Sequence, residues 1–207
     1  MIAITFPDGK IKTYNKGITG MEVARGISPR LAAEVLAMQV DGVVTDIRMP
    51  LTEDASVRFL KWEDEEGKQV FWHSSSHVMA AALETLFPGV KFGIGPAVEN
   101  GFYYDIDLGD RQLTEADLQV IEKEMYRIAH TKQAFERKEI SKKEALEVYK
   151  EKGDQYKCEL INDLEDGTIT FYTNGAFTDL CRGPHIPDTS LIRAIKLTSI
   201  AGAYWRG

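Results

Sequence analysis

The stretch Phe71-Trp72-His73-Ser74-Ser75-Ser76-His77-Val78-Met79-Ala80-Ala81-Ala82-Leu83 constrains the chain more than any other. Its spacing predicts a helix from Gln69 to about Phe87, stopped by Pro88-Gly89. On a helix, Val78, Met79, Ala82, Leu83, Leu86 and Phe87 fall on one broad side. His73, His77, Ala80 and Ala81 fall on roughly the other. Histidines at i and i+4 project from the same helical face. The alanines beside them leave the imidazoles overlooking open space if that face lines a cleft. The plainer reading is a pair of surface histidines near a helix start.

A second stretch, Asp179-Leu180-Cys181-Arg182-Gly183-Pro184-His185, answers the first. Gly-Pro makes a rigid bend that can turn Cys181 and His185 to one side. A buried cysteine beside a loop histidine is the bland alternative. The chain has four histidines, and three fall inside these two motifs; the fourth, His130, reads as a surface residue near a helix C-terminus. Together HxxxH and CxxxH match the ligand types of a His3Cys zinc site. The same types suit a hydrolytic site that works on water, and residue types alone leave both open. Asp179 stands two before Cys181, so on a strand the two share a face. Its carboxylate suits an imidazole or an ammonium group; a turn aspartate is the alternative.

At 207 residues the chain suits one large domain or two small ones, and 43% hydrophobic residues suffice for a core. The net charge of −7 and pI of about 5.2 argue against broad, nonspecific nucleic-acid binding but allow a local basic groove. Two cysteines, Cys158 and Cys181, form no disulfide framework and fit a reducing cytoplasm. No apolar run approaches the ~20 residues of a membrane span, and no signal peptide is evident. There is no GxxxxGK[ST] loop, no dinucleotide fingerprint and no GxSxG elbow, so this stretch is not expected to bind and activate ATP.

The pattern divides near residue 62. Strands are predicted at Ile2 to Phe6, Ile11 to Tyr14, Val35 to Val40, Val43 to Thr45 and Ser56 to Trp62, with a helix at Thr19 to Ile27. Asp41-Gly42 marks a two-residue hairpin. That order is the order of a ubiquitin-like β-grasp; a generic α+β module is the plainer reading. Glu63 to Lys68 reads as a charged linker. Beyond it the expectation is a larger α+β domain over 63–207. Strands are read at Phe92 to Pro96, Gly101 to Ile106, Phe135 to Ile140, Thr168 to Thr173 and Ile195 to Ile200. Helices are read at Thr114 to Thr131 and Ser141 to Lys152, each opened by a capping box. Tyr156 to Leu164 reads as strand or short helix. Phe177 to Leu180 delivers the chain to Cys181.

With both motifs in place, the whole chain resembles the N-terminal part of bacterial-type threonyl-tRNA synthetases. Residues 1–62 resemble the family's TGS domain. Residues from 63 resemble its editing domain, through His73-Ser74-Ser75-Ser76-His77, Gly101-Phe102-Tyr103-Tyr104-Asp105 and the Cys181 motif. The HxxxH and CxxxH pair is shared with alanyl-tRNA synthetase editing domains. Ala203-Tyr204-Trp205-Arg206-Gly207 looks like the family's exit toward its class II core. That core and the anticodon-binding domain are absent from these residues, so a piece of a longer chain is expected, and full-length members are usually homodimers through the core.

The resemblance implies hydrolysis of seryl-tRNA(Thr) in the cytoplasm. It implies His73 and Lys157 as catalytic residues, with His77, Tyr103, Tyr104, Asp179, Cys181 and His185 binding substrate. Lys157 enters on the resemblance alone; from the sequence it reads as a solvated lysine. The family is described as editing without a metal here, whereas its alanyl relatives use zinc. No cofactor is therefore expected, with zinc on His73, His77, Cys181 and His185 as the alternative. Rival readings are a zinc-dependent alanyl-type deacylase and a non-catalytic RNA-binding or regulatory module.

Overall fold

The computed structural model describes residues 1–202, so the expected exit segment 203–207 lies outside the described residues. The described residues form two compact units: Met1–Trp72 with Gly183–Pro187, and His73–Arg182 with residues 188–202.

In the first unit, β1 (Ile2–Thr5), β2 (Ile11–Tyr14), β3 (Ala37–Val40), β4 (Val43–Thr45) and β5 (Ala55–Leu60) make one sheet in the order β2-β1-β5-β3-β4. β1 and β5 run parallel, with Ile4 opposite Ala55; the other neighbours are antiparallel. This is the β-grasp arrangement expected from the sequence. Alternation puts Ile2 and Ile4 of β1 into the core, and Val57 of β5 joins them. The β3–β4 hairpin closes on Asp41-Gly42, as its sequence predicts. Helix α1 (Gly20–Ile27) starts at a capping box in which the Glu22 carboxylate accepts from the Thr19 N–H at 2.8 Å. It buries Met21, Val23 and Ala24 against the sheet side chains.

Two expectations for this unit need correcting. A second helix, α2 (Pro29–Glu34), precedes β3, so the strand expected from Val35 starts at Ala37. Its signal was present: Ser28 caps the Leu31 N–H at 3.0 Å, and Pro29 occupies the first helical position. The charged linker is also shorter than expected, because helix α3 (Glu65–Leu86) begins inside it. Glu65 and Glu66 in the first turn favour the positive end of the helix dipole. Gly67 is there for close approach rather than as a break, since a Cβ would lie 2.0 Å from the Lys61 carbonyl oxygen.

The second unit contains the rest of α3, α4 (Glu115–His130), β6 (Glu136–Glu139), α5 (Lys142–Glu151), α6 (Gln155–Asn162), β7 (Thr170–Asn174) and β8 (Phe177–Leu180). Strands β6-β7-β8 form an antiparallel sheet, as expected for this α+β region. Both expected capping boxes are formed, Thr114 with Asp117 and Ser141 with Glu144. Tyr156 to Leu164 resolves to helix α6, because the Asp154 carboxylate caps it through the Lys157 N–H at 3.1 Å. The strands expected at Phe92 to Pro96 and Gly101 to Ile106 shrink to short pairs, Lys91–Phe92 with Ile106–Asp107 and Ala97–Val98 with Gly101–Phe102. Ile195 to Ile200 is not a strand. Side chains of α4 satisfy its backbone instead: the Ile195 N–H donates to the Tyr126 hydroxyl at 2.9 Å and the Leu197 N–H to Glu122 at 2.7 Å.

Candidate functional site

Helix α3 is enclosed, not open. Ser74 to Val78 and Ala80 to Leu83 are all buried, so the alanines beside the histidines face protein rather than a cleft. The cause is residue size: serine and alanine let neighbouring backbone come close. The Ser76 hydroxyl donates to the Gly95 carbonyl at 2.8 Å. Gly95 in turn lies under Tyr104, where a Cβ would meet the ring at 2.4 Å. His77 is 2% exposed, while His73 one turn earlier is half-buried. Their rings meet edge to face with centroids 5.1 Å apart.

Cys181 follows the end of β8. Its N–H donates to the Thr170 carbonyl at 3.0 Å, and the Thr170 hydroxyl donates to the Cys181 carbonyl, which extends the β7–β8 pairing by one residue. That places the Cys181 sulfur 3.3 Å from Nε2 of His73. Two motifs 108 residues apart in sequence thus meet inside the second unit.

Beside this contact lies a buried charge network. Lys157 and Asp179 are each 2% exposed, and Nζ sits 2.7 Å from Oδ1. Lys157 is therefore no solvated lysine; the capped start of α6 turns it inward. Its ammonium also donates to the Tyr104 hydroxyl at 3.0 Å, and Tyr104 donates to Oδ2 of Asp179. Tyr149 of α5 donates to Oδ1 at 3.1 Å and accepts from the Leu180 N–H at 2.7 Å. His77 Nε2 stands 3.9 Å from Oδ2.

The electrostatics follow from burial and pairing. Burial pushes the Asp179 carboxyl up, but the Lys157 charge, His77 and the hydrogen bonds from Lys157 and Tyr104 together hold it below its usual value. Burial pushes His77 down to about 3 against the pull of Asp179, so its imidazole is neutral at pH 7. Burial, reinforced by the Asp179 charge, raises the Tyr104 and Tyr149 hydroxyls well above their usual range, so both stay protonated donors.

The remaining sequence-predicted residues fall as follows. Tyr103 is 44% exposed, unlike its neighbour Tyr104. His130 is exposed at the end of α4, as expected. His185 is buried and belongs by its contacts to the first unit, where its N–H donates to the Asp46 carboxylate at 2.7 Å. The Gly183–Pro184 peptide before it is cis. Sequence reasoning missed Tyr149, which looks like one more apolar position of an amphipathic helix. It also missed Asp154, whose carboxylate accepts from both the Lys157 and Phe92 N–H groups, the latter at 2.9 Å. A Gly153-Asp154 pair ahead of a helical pattern was the available N-cap signal for Asp154.

In the second unit His73, His77 and Cys181 offer donors of the types that hold a metal ion. Within the second unit, the ligand atoms of His73, His77 and Cys181 lie within 4.8 Å of one another. A sulfur and a nitrogen on one tetrahedral zinc would stand roughly 3.5 Å apart, close to the 3.3 Å between Cys181 and His73. The donor chemistry therefore fits zinc. The same contact equally serves as a hydrogen bond.

Comparison with known proteins adds the following. Residues 2–61 match the TGS domain. Residues 169–204 match the threonyl and alanyl tRNA synthetase second additional domain. Along its whole length the chain is 59% identical to a threonine–tRNA ligase of Porphyromonas gingivalis, 56% identical to one of Parabacteroides distasonis and 57% identical to one of Cytophaga hutchinsonii. In each case it spans 32% of the relative's length.

Proposed function

We propose, since this chain carries the TGS domain and second additional domain of a threonyl-tRNA synthetase, that its second unit edits by hydrolysing serine wrongly attached to threonine tRNA. The need is physical. Serine lacks one methyl of threonine, and a group of that size yields only about 1–3 kcal/mol of discrimination in a binding pocket. A second site that accepts serine and crowds out the extra methyl of threonine supplies the rest. In this reading residues 1–62 are the TGS domain, residues 63–207 the editing domain, and the partner is tRNA(Thr) in the cytoplasm. Neither cysteine is in a disulfide, and among the described residues no helix is long and apolar enough to cross a membrane.

The observation that carries this reading is the buried Lys157–Asp179–Tyr104 network next to the His73–Cys181 contact. Water attacks the ester carbonyl, the ester C–O bond breaks, and the ribose oxygen leaves with a proton. His73, half-buried and reachable, takes the proton from water, helped by the Lys157 charge, which also favours the developing oxyanion. Neutral His77, with Cys181, shapes a serine-sized pocket, and the family resemblance adds His185 to the substrate-binding residues. Asp179 has three of its four acceptor directions filled by Lys157, Tyr149 and Tyr104, and the fourth receives the substrate α-ammonium group. Tyr104, with the more exposed Tyr103, contacts the terminal adenosine.

The donor set supports a second reading, a zinc-dependent deacylase of the alanyl type. Zinc held by His73, His77 and Cys181 would supply an acidified water and a Lewis acid. Release of amino acid from seryl-tRNA(Thr), threonyl-tRNA(Thr) and seryl-tRNA(Ala), with and without chelator, separates the two. Chelator-resistant release of serine from tRNA(Thr), with threonine spared, is expected. Chelator-sensitive release from tRNA(Ala) would establish the alternative, and no release from any substrate would end both. His73→Ala should lower the rate by about a hundredfold or more, the usual worth of a general base, and leave the unfolding midpoint nearly unchanged.

A further inference from the structure

The deacylase roles above give the buried hydroxyl of Tyr149 in the second unit no part beyond filling one acceptor direction of Asp179. We infer that Tyr149 is a positioning residue that fixes Asp179, and through it Lys157, for ester hydrolysis. The inference rests on the deacylase reading. Tyr149 projects from α5, and its ring packs in a core cluster with Ala145, Ile161, Ile169 and Phe171, edge to face with Phe171 at 5.7 Å. That packing has no need of a hydroxyl. The hydroxyl is instead placed between two consecutive residues of β8. It accepts from the Leu180 N–H at 2.7 Å and donates to the Asp179 Oδ1 at 3.1 Å.

This geometry joins backbone to side chain. The Leu180 N–H orients the tyrosine proton, because a hydroxyl oxygen that accepts on one side donates on another. The proton then points at the oxygen that also takes the Lys157 ammonium at 2.7 Å. Asp179 is thereby turned so that Oδ1 faces Lys157 and Oδ2 faces Tyr104. Without the hydroxyl, the carboxylate loses the donor that holds its plane, and the Leu180 N–H loses its acceptor. The ring and the core stay as they are. The hydroxyl bonds to the Asp179 carboxylate and the Leu180 N–H, so its effect on Lys157 passes through Asp179.

The test is a double-mutant cycle on the whole chain, with Tyr149→Phe, Lys157→Met and both together, assayed on seryl-tRNA(Thr). Tyr149→Phe should lower kcat roughly tenfold to a hundredfold, the cost of a misplaced reacting group, and raise KM as well, because the same carboxylate receives the substrate ammonium group. In the Lys157→Met background it should lower kcat no further. An equal loss in both backgrounds, or an unchanged kcat, overturns the inference. A second measurement is independent of activity: the ammonium protons of Lys157 and the hydroxyl proton of Tyr149 should exchange slowly in the NMR spectrum of the unsubstituted protein. Tyr149→Phe should broaden the Lys157 signal. A fast-exchanging Tyr149 hydroxyl overturns the inference even if the variant fails to fold. If the unsubstituted protein releases no amino acid, the deacylase reading fails by itself, and the exchange data still settle whether Tyr149 holds the pair.

Discussion

Residues 1–62 and the second unit bury different chemistry. The core of residues 1–62 is apolar throughout: Ile2, Ile4, Val23, Val35, Met38, Ile47 and Val57 are buried, and among the described residues no polar or charged side chain there is. The second unit buries Ser74, Ser75, Ser76, His77, Asp154, Lys157 and Asp179. Apolar burial needs only size and pattern. A buried ion pair must recover its lost hydration through geometry, and replacing it with packed apolar groups is often neutral or stabilising. The fold of residues 1–62 thus rests on apolar packing. The second retains an arrangement that stability alone does not require, and such places are where function is sought.

The contrast is open to direct measurement. Asp179→Ala should destabilise the second unit by about 3–5 kcal/mol, because it strands a buried lysine charge, and should abolish deacylation. The paired replacement Lys157→Met with Asp179→Leu should recover most of that stability and none of the activity. Urea unfolding followed by NMR signals from each unit reads both; a pair variant as unstable as Asp179→Ala would mean that the network is structural.

A smaller effect tests the apolar packing. Ile4→Ala should cost the first unit about 2–4 kcal/mol through lost burial and the cavity left behind. The rate at which folded protein hydrolyses its substrate should not change. A proportionate fall in kcat of the folded fraction would refute the division of roles.

A further effect is in pH. His77 binds its proton far more weakly when folded, at about 3, than the ordinary value of 6.5. The unfolded chain therefore takes up the proton first, and stability falls as pH drops through that window. Asp179, held below its usual 3.8, adds its own loss only at lower pH. In the first unit Glu22 and Glu34 are lowered from 4.5, by hydrogen bonds from Thr19 and from Arg30, so they too act only below that value. Between pH 6.5 and 4.5 the second unit should lose stability ahead of the β-grasp sheet. His77→Gln should flatten the difference, as unit-resolved unfolding at a series of pH values would show.

The sequence was most legible where the signal is local. Ile2 and Ile4 alternate, Asp41-Gly42 makes a hairpin, and Ser141 with Glu144 opens a helix; each depends on residues within a few positions of one another. Errors arose where a tertiary partner overrode that pattern. Ile195 to Ile200 has strand composition, but Tyr126 and Glu122 of a distant helix took its N–H groups. Glu63 to Lys68 looked like a break until Gly67 proved to be packed on Lys61. Lys157 looked solvated because no spacing rule predicts a partner 22 residues away.

The candidate site divides the same way. Residue types and spacing alone drew attention to His73, His77, Cys181, His185 and Asp179, since imidazole, thiol and carboxylate chemistry is written in the side chains. Tertiary structure decided which of them meet and in what charge state. His73 reaches Cys181 because β8 extends by one paired residue, and His77 is neutral because its helix is enclosed. Asp179 is ionised because α5 and α6 bring Tyr149 and Lys157 to it. Burial and partnership are properties of packing between segments far apart in the chain, and no local pattern carries them.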